Sequence, residues 1–204
     1  MTRIAFDAPV TRRRLGAVAG TALVAGLVPG VTPAASADSL RAPTGPVVLT
    51  VVGDIARSNR GPFDAAADKF FGYHELSFER AATFDRAMLQ GLGRHVVRVG
   101  GPVLKADYAV AGPRLADVLA AAGAAPRDVT VLALDGFRAE IPAARLAAED
   151  WIVGIEANGR PLGLGDRGPA WILFAPRDPA GSAIHDEEMQ WPWAAFALIV
   201  GDLD

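Results

Sequence analysis

Cysteine is absent from all 204 residues. That excludes disulfides, thiolate zinc sites, iron–sulfur clusters, covalent c-type haem and any cysteine nucleophile. Histidine is scarce, with His74, His95 and His185 alone, and no two stand at a metal-ligand spacing such as H-x-x-x-H. The run His185-Asp186-Glu187-Glu188 has ligand-type atoms, but four successive residues do not converge on one ion in regular backbone. It reads as a solvated acidic loop. No G-x-S-x-G elbow supports a Ser-His-Asp hydrolase. No residue is therefore assigned a catalytic or metal-binding role. Clustered positive charge is missing beyond the first residues, so nucleic-acid and anionic-lipid binding lack electrostatic support.

What is present begins with Thr11-Arg12-Arg13-Arg14-Leu15, a basic cluster with paired arginines. An apolar stretch rich in Ala, Gly, Val and Leu follows to Val31, and Ala35-Ser36-Ala37 is a small-x-small cleavage site. Basic region, short apolar region and A-x-A form the layout of an export signal, and paired arginines point to the twin-arginine route. Residues 1–37 are read as that signal, which places the remainder in the periplasm or otherwise outside, with no stable membrane insertion after cleavage. Removing 37 of the 204 residues leaves 167, enough for one domain with one sizeable core. The signal holds four arginines against one aspartate, so the chain's formal charge of −3 becomes −6 without it.

Residues 38–46 read as a flexible lead-in, and 47–204 as the domain. Residues 47–52 (VVLTVV) are a β-branched run and predict a strand. Residues 53–75 look irregular and carry an aromatic cluster, Phe63, Phe70, Phe71 and Tyr73, read as a lid or partner surface. Residues 83–92 read as a short helix with Thr83 as N-cap and Gly93 as terminator. The clearest helix spans 113–122, with Leu115, Val118, Leu119 and Ala122 on one face and Gly123 ending it. Asp135-Gly136 and Asn158-Gly159 each sit between apolar runs and predict two hairpins, with a short helix over 142–149 between them. Residues 170–175 (AWILFA) predict a buried strand. A polar loop over 177–188 then leads to a last strand around 195–200. Many short strands and few short helices mean an α+β, mixed β-rich single domain.

Gly163-Leu164-Gly165-Asp166-Arg167-Gly168 spells G-x-G-x-x-G, but Pro169 and an apolar strand follow where a dinucleotide site needs a helix N-terminus. It reads as a glycine-rich loop. Trp191-Pro192-Trp193 is more informative. In extended chain, residues two apart share a face, so both indoles would wall one pocket and stack on a flat heteroaromatic ligand. Alternation over residues 94–105 places Arg94, Val96 and Arg98 on one side, either a solvated edge or the lining of an anion or pterin pocket.

From residue 47 to 202, the order of these pieces resembles the sulfite-oxidase-type molybdopterin domain. The stretches that carry the resemblance are 112–123 (GPRLADVLAAAG), 131–137 (VLALDGF), 156–162 (EANGRPL), 167–171 (RGPAW) and the strand begun by Trp191 and Trp193. Proteins of this kind are commonly labelled molybdopterin-dependent oxidoreductases. In the catalytic family a cysteine thiolate on the strand after the first helical region binds molybdenum. Here that stretch is His95-Val96-Val97-Arg98-Val99-Gly100, which offers no soft ligand in its place. Short cysteine-free members resemble periplasmic pterin-binding proteins of the same fold, some of which report a reduced pterin to a membrane-bound cyclic di-GMP signalling protein. The resemblance implies a non-catalytic protein that binds a reduced pterin or molybdopterin-like ring, without molybdenum. The alternative is a molybdopterin-dependent oxidoreductase whose metal has no cysteine ligand. Trp191 and Trp193 would wall the ring, with Phe137 as a second apolar wall. Asp135 would accept from a ring N–H and exocyclic amine. Arg98 and Arg167 would donate to ring carbonyl or side-chain oxygens.

Overall fold

The computed structural model describes residues 39–100, 104–176 and 190–203, all within one compact unit, Ala35–Asp204. The export signal, the glycine–proline break after Gly100 and the acidic loop with His185-Asp186-Glu187-Glu188 lie outside the described residues. Among the described residues no helix is long and apolar enough to cross a membrane.

The central feature is a five-stranded sheet. Strand β1 (Val47–Gly53) pairs antiparallel with β2 (Ala82–Asp85) on one side. On its other side it runs parallel to β11 (Ala195–Val200), the last strand of the chain. The sheet continues antiparallel through β5 (Val129–Ala133) and β6 (Arg138–Ile141), giving the order β2-β1-β11-β5-β6. Both faces are covered, which is why β11 reads as an unbroken apolar run and is buried throughout. Alternation sends Leu49, Val51, Val131 and Leu198 into the main core. Val52, Leu132 and Ile199 face a smaller cluster, closed by Phe63, Phe71, Leu76 and Phe78 from the aromatic segment.

The main core is shared with a second layer. Strands β3 (His95–Val99), β4 (Tyr108–Gly112), β8 (Glu156–Ala157) and β9 (Arg160–Pro161) form an antiparallel sheet. Strands β7 (Ile152–Gly154) and β10 (Trp171–Leu173) form a two-stranded one. At Gly112 the β4 backbone passes so close to β7 that an added Cβ would overlap the Val153 carbonyl. Helix α3 (Leu115–Ala122) buries Leu115, Val118 and Ala122, as its spacing predicts, and ends on Gly123 in the left-handed region. Helix α4 (Ala143–Ala148) follows β6. Both expected hairpins form. In the second, Asn158 and Gly159 both have positive φ, as a two-residue I′ turn demands.

The helix expected over 83–92 is shorter. Thr83 lies in β2 opposite Thr50, with its N–H and hydroxyl both bonded to Asn59 Oδ1. Helix α2 (Arg86–Gly91) starts after Asp85, whose Oδ1 accepts from Met88 N at 2.8 Å. Asp85 is therefore the N-cap, because strand pairing has taken Thr83 out of reach. Asp85 Oδ2 also accepts from the amides of Thr44 and Gly45 at 2.7 and 2.9 Å. Leu40 N is bonded to the Ser58 carbonyl, so the described part of the stretch read as a lead-in is tied to the body at both places. The aromatic segment holds α1 (Lys69–Tyr73).

Candidate functional site

Three chain segments converge at one end of the five-stranded sheet. Leu134 N, at the end of β5, donates to the Ala194 carbonyl at 3.0 Å, and Ala194 N donates to the Arg167 carbonyl at 2.9 Å. Ala195 N continues to the Ala170 carbonyl. The backbone thus places the Asp135-Gly136 turn, Trp193 and the loop carrying Arg167 beside one another. Ala194 has φ 53° and turns the chain just before β11 begins.

The two tryptophans do not share one wall, because residues 191–194 are not a regular strand and strict alternation does not hold there. Trp191 is 2 % exposed and packs edge-on against Phe174, centroids 5.8 Å apart. Beside it the Arg145 guanidinium lies 5.2 Å from the rings of both Trp151 and Phe174. Trp191 belongs to the core. Trp193 is 49 % exposed and is the indole open to a ligand. Phe137 is 47 % exposed, and its N–H donates to Asp135 Oδ1 at 3.0 Å, which leaves Oδ2 of that exposed carboxylate without a hydrogen bond among the described residues.

Arg167 reaches from this rim toward the second layer. Its guanidinium sits 4.7 Å from the Tyr108 ring centroid and 4.8 Å from that of Trp171, and Nη1 donates to the Tyr108 hydroxyl at 3.0 Å. The two rings are themselves edge-on at 5.8 Å. Tyr108 opens β4 opposite Val99, and the next pair is Arg98 with Ala109. Arg98, Gly100, Asp107, Tyr108 and Asn158 line a cleft of about 470 Å³. The chain of neighbours therefore runs from Asp135 through Trp193 and Arg167 to Tyr108, whereas Arg98, paired with Ala109, projects from the other face of the β3–β4 pair. Among the described residues neither Arg98 nor Arg167 has a carboxylate partner.

No protein-family model matches this sequence, and no curated protein matches it.

The donor set tests which group the cleft suits. Around Arg98, Val99 and Gly100 there is no soft ligand, and among the described residues no three His, Cys, Asp or Glu side chains converge on a metal position. A thiolate-held molybdenum does not fit, and no step is derived through one. The cleft itself is lined by Arg98, Asp107, Tyr108 and Asn158, while Arg167, Trp193 and the Asp135 turn lie on the rim that Tyr108 joins to it. Asp107 and Tyr108 escaped the sequence reading. They follow a loop and open a strand, and only the pairing with β3 brings them beside Arg98.

The aromatic segment touches the rim from the other side. Phe70 and His74 pack on Phe196 at 4.8 and 5.1 Å, Arg138 Nη2 donates to the His74 carbonyl at 2.8 Å, and Tyr73 stands 81 % exposed. Phe63 and Phe71 instead cover the sheet, while Arg60 stacks on Phe71 and Phe78 and pairs with Asp68. That ion pair and the Asp64 amide hold the Asp68 carboxyl below the usual carboxylate range, the amide contributing most.

Proposed function

We propose that this chain is an exported pterin-binding protein that holds its ring without turning it over and reports it to a membrane-bound signalling partner, one that handles cyclic di-GMP. One observation carries the reading. An exposed indole, Trp193, is tied by backbone hydrogen bonds to the loop of Arg167, a half-buried guanidinium with no carboxylate partner among the described residues. A guanidinium has five donors in a fixed fork, so those left open at Arg167 among the described residues can take oxygen acceptors from a ligand. A pterin supplies both halves, a flat face for the indole and a carbonyl for the guanidinium.

In this reading Trp193 stacks on the ring and Phe137 shields it from water. Asp135 on the rim, or Asp107 at the cleft, accepts from the ring N–H and the exocyclic amine. Arg98 and Arg167 bind the ring carbonyl or oxygens of the ring's side chain. The resemblance to the sulfite-oxidase-type domain supports the same ligand class.

The test is to isolate the protein from the periplasm, extract it, and measure pterin fluorescence and molybdenum. A fluorescent pterin without metal is the expected result. Added tetrahydropterin should also raise the melting temperature, since a ligand at one hundred times its Kd stabilises by about 2.7 kcal/mol. An empty protein that no pterin stabilises sinks the proposal. Stoichiometric molybdenum would move the reading to an oxidoreductase whose metal has no cysteine ligand.

A further inference from the structure

The second hairpin turn does more than reverse the chain. Strand β4 pairs with β8 only through Val110 and Ala111. One residue earlier, at Ala109, β8 has already reached its turn. The Asn158 side chain and backbone stand in for the missing strand. Its Oδ1 accepts from Ala109 N at 2.8 Å, and its own N–H donates to the Ala109 carbonyl at 3.0 Å. Its Nδ2 donates to the Asp107 carbonyl at 3.1 Å. The carboxamide therefore grips the backbone on both sides of Tyr108, and Tyr108 in turn holds Arg167 through its hydroxyl.

From this geometry we infer that Asn158 is a positioning residue for the ligand site, acting through Tyr108 to preset Arg167. The inference rests on the pterin-binding reading for its ligand, but the relay itself is a property of the free protein. Aspartate at this position would keep the acceptor for Ala109 N and lose the donor to Asp107, so both halves of the grip can be tested. Asn158 has φ 51°, a conformation glycine adopts freely. N158G therefore removes the side chain without straining the turn.

The experiment uses the full chain and its N158G, N158D and Y108F variants, alone and with N158G and Y108F combined. Tetrahydropterin affinity and the Arg167 Nη1–H signal in NMR are both read. N158G should weaken tetrahydropterin about three- to tenfold, the worth of one or two net hydrogen bonds, and N158D should follow it. With Tyr108 already changed to Phe, N158G should cost little more, because the tether it supports is gone. Fully additive losses would mean that Asn158 acts only on general stability, and would overturn the inference. If no tetrahydropterin binds the unaltered chain, the proposed function falls while the relay is still decided by NMR. The Arg167 signal should be protected in the unaltered chain and weakened in both Y108F and N158G. An unchanged signal in N158G overturns the relay.

Discussion

The Asp85 corner and the Arg167 cleft are both polar and partly buried, yet they are built on opposite terms. At Asp85 the chain supplies every partner. One carboxylate oxygen caps α2 and the other holds Thr44 and Gly45, while Asn59 beside it bonds Thr83 on both faces and reaches Arg41. At Arg167 two aromatic rings and one hydroxyl are supplied, and among the described residues the other guanidinium donors have no partner. A saturated buried network holds one conformation together. An unsaturated cation beside an exposed indole is a place for something else to bind. The same division runs through the two tryptophans, one in the core and one on the rim.

The largest expected effect lies in the core. Trp191→Ala should cost about 3–5 kcal/mol of stability, as for other large-to-small core changes, read by urea unfolding. A loss near that of a surface change would break the contrast with Trp193. The Asp85 corner comes next. Its carboxyl is held down to about 2, by the Met88 amide first and then by those of Gly45 and Thr44. A carboxylate lowered in the folded state lends stability that is full above its unfolded value of roughly 3.9 and is lost as pH falls through the folded one. Stability should therefore decline between about pH 4 and pH 2. Asp85→Asn should be less stable at neutral pH and show less of that decline. A variant that unfolds with the same acid profile would show that Asp85 is not the group responsible.

Trp193→Ala should leave unfolding nearly unchanged and weaken tetrahydropterin by about 2 kcal/mol, in the range of truncating an exposed aromatic anchor. Equal affinity would remove the stacking role. Phe137→Ala is the mildest, under roughly 0.5 kcal/mol in stability, with a small loss of affinity on titration. A loss of binding larger than that of Trp193→Ala would move the centre of the site to the β5–β6 turn.

Much of the fold could be read along the chain, because the signals that carry it are local. The β-branched run of β1, the apolar spacing of α3 with Gly123 behind it, and the Asn158-Gly159 turn formed as expected, while the hairpin at Asp135-Gly136 formed through a three-residue loop that begins at Leu134. The errors share one cause. Thr83 has the chemistry of an N-cap, but pairing with β1 claimed it and Asp85 took the role. Trp191 and Trp193 would share a face in a regular strand, but residues 191–194 form none, and one indole is buried while the other is exposed. Of the proposed site, Arg98, Arg167, Trp193, Asp135 and Phe137 were singled out by residue type and order. Asp107, Tyr108 and the grip of Asn158 were not, since nothing in their local sequence marks them.

By itself, the sequence determined the missing thiolate chemistry, the lack of a basic run beyond the first residues, the α+β class and the places where the chain turns, since each depends on composition or on residues a few positions apart. Only the tertiary structure decided which polar groups are complete and which stay open. Arg167 and Tyr108 lie 59 residues apart, and Asn158 and Ala109 lie 49 apart. Whether a guanidinium ends against a carboxylate or against two aromatic rings depends on how β4, β8 and the loop before β10 pack, and no local pattern encodes that.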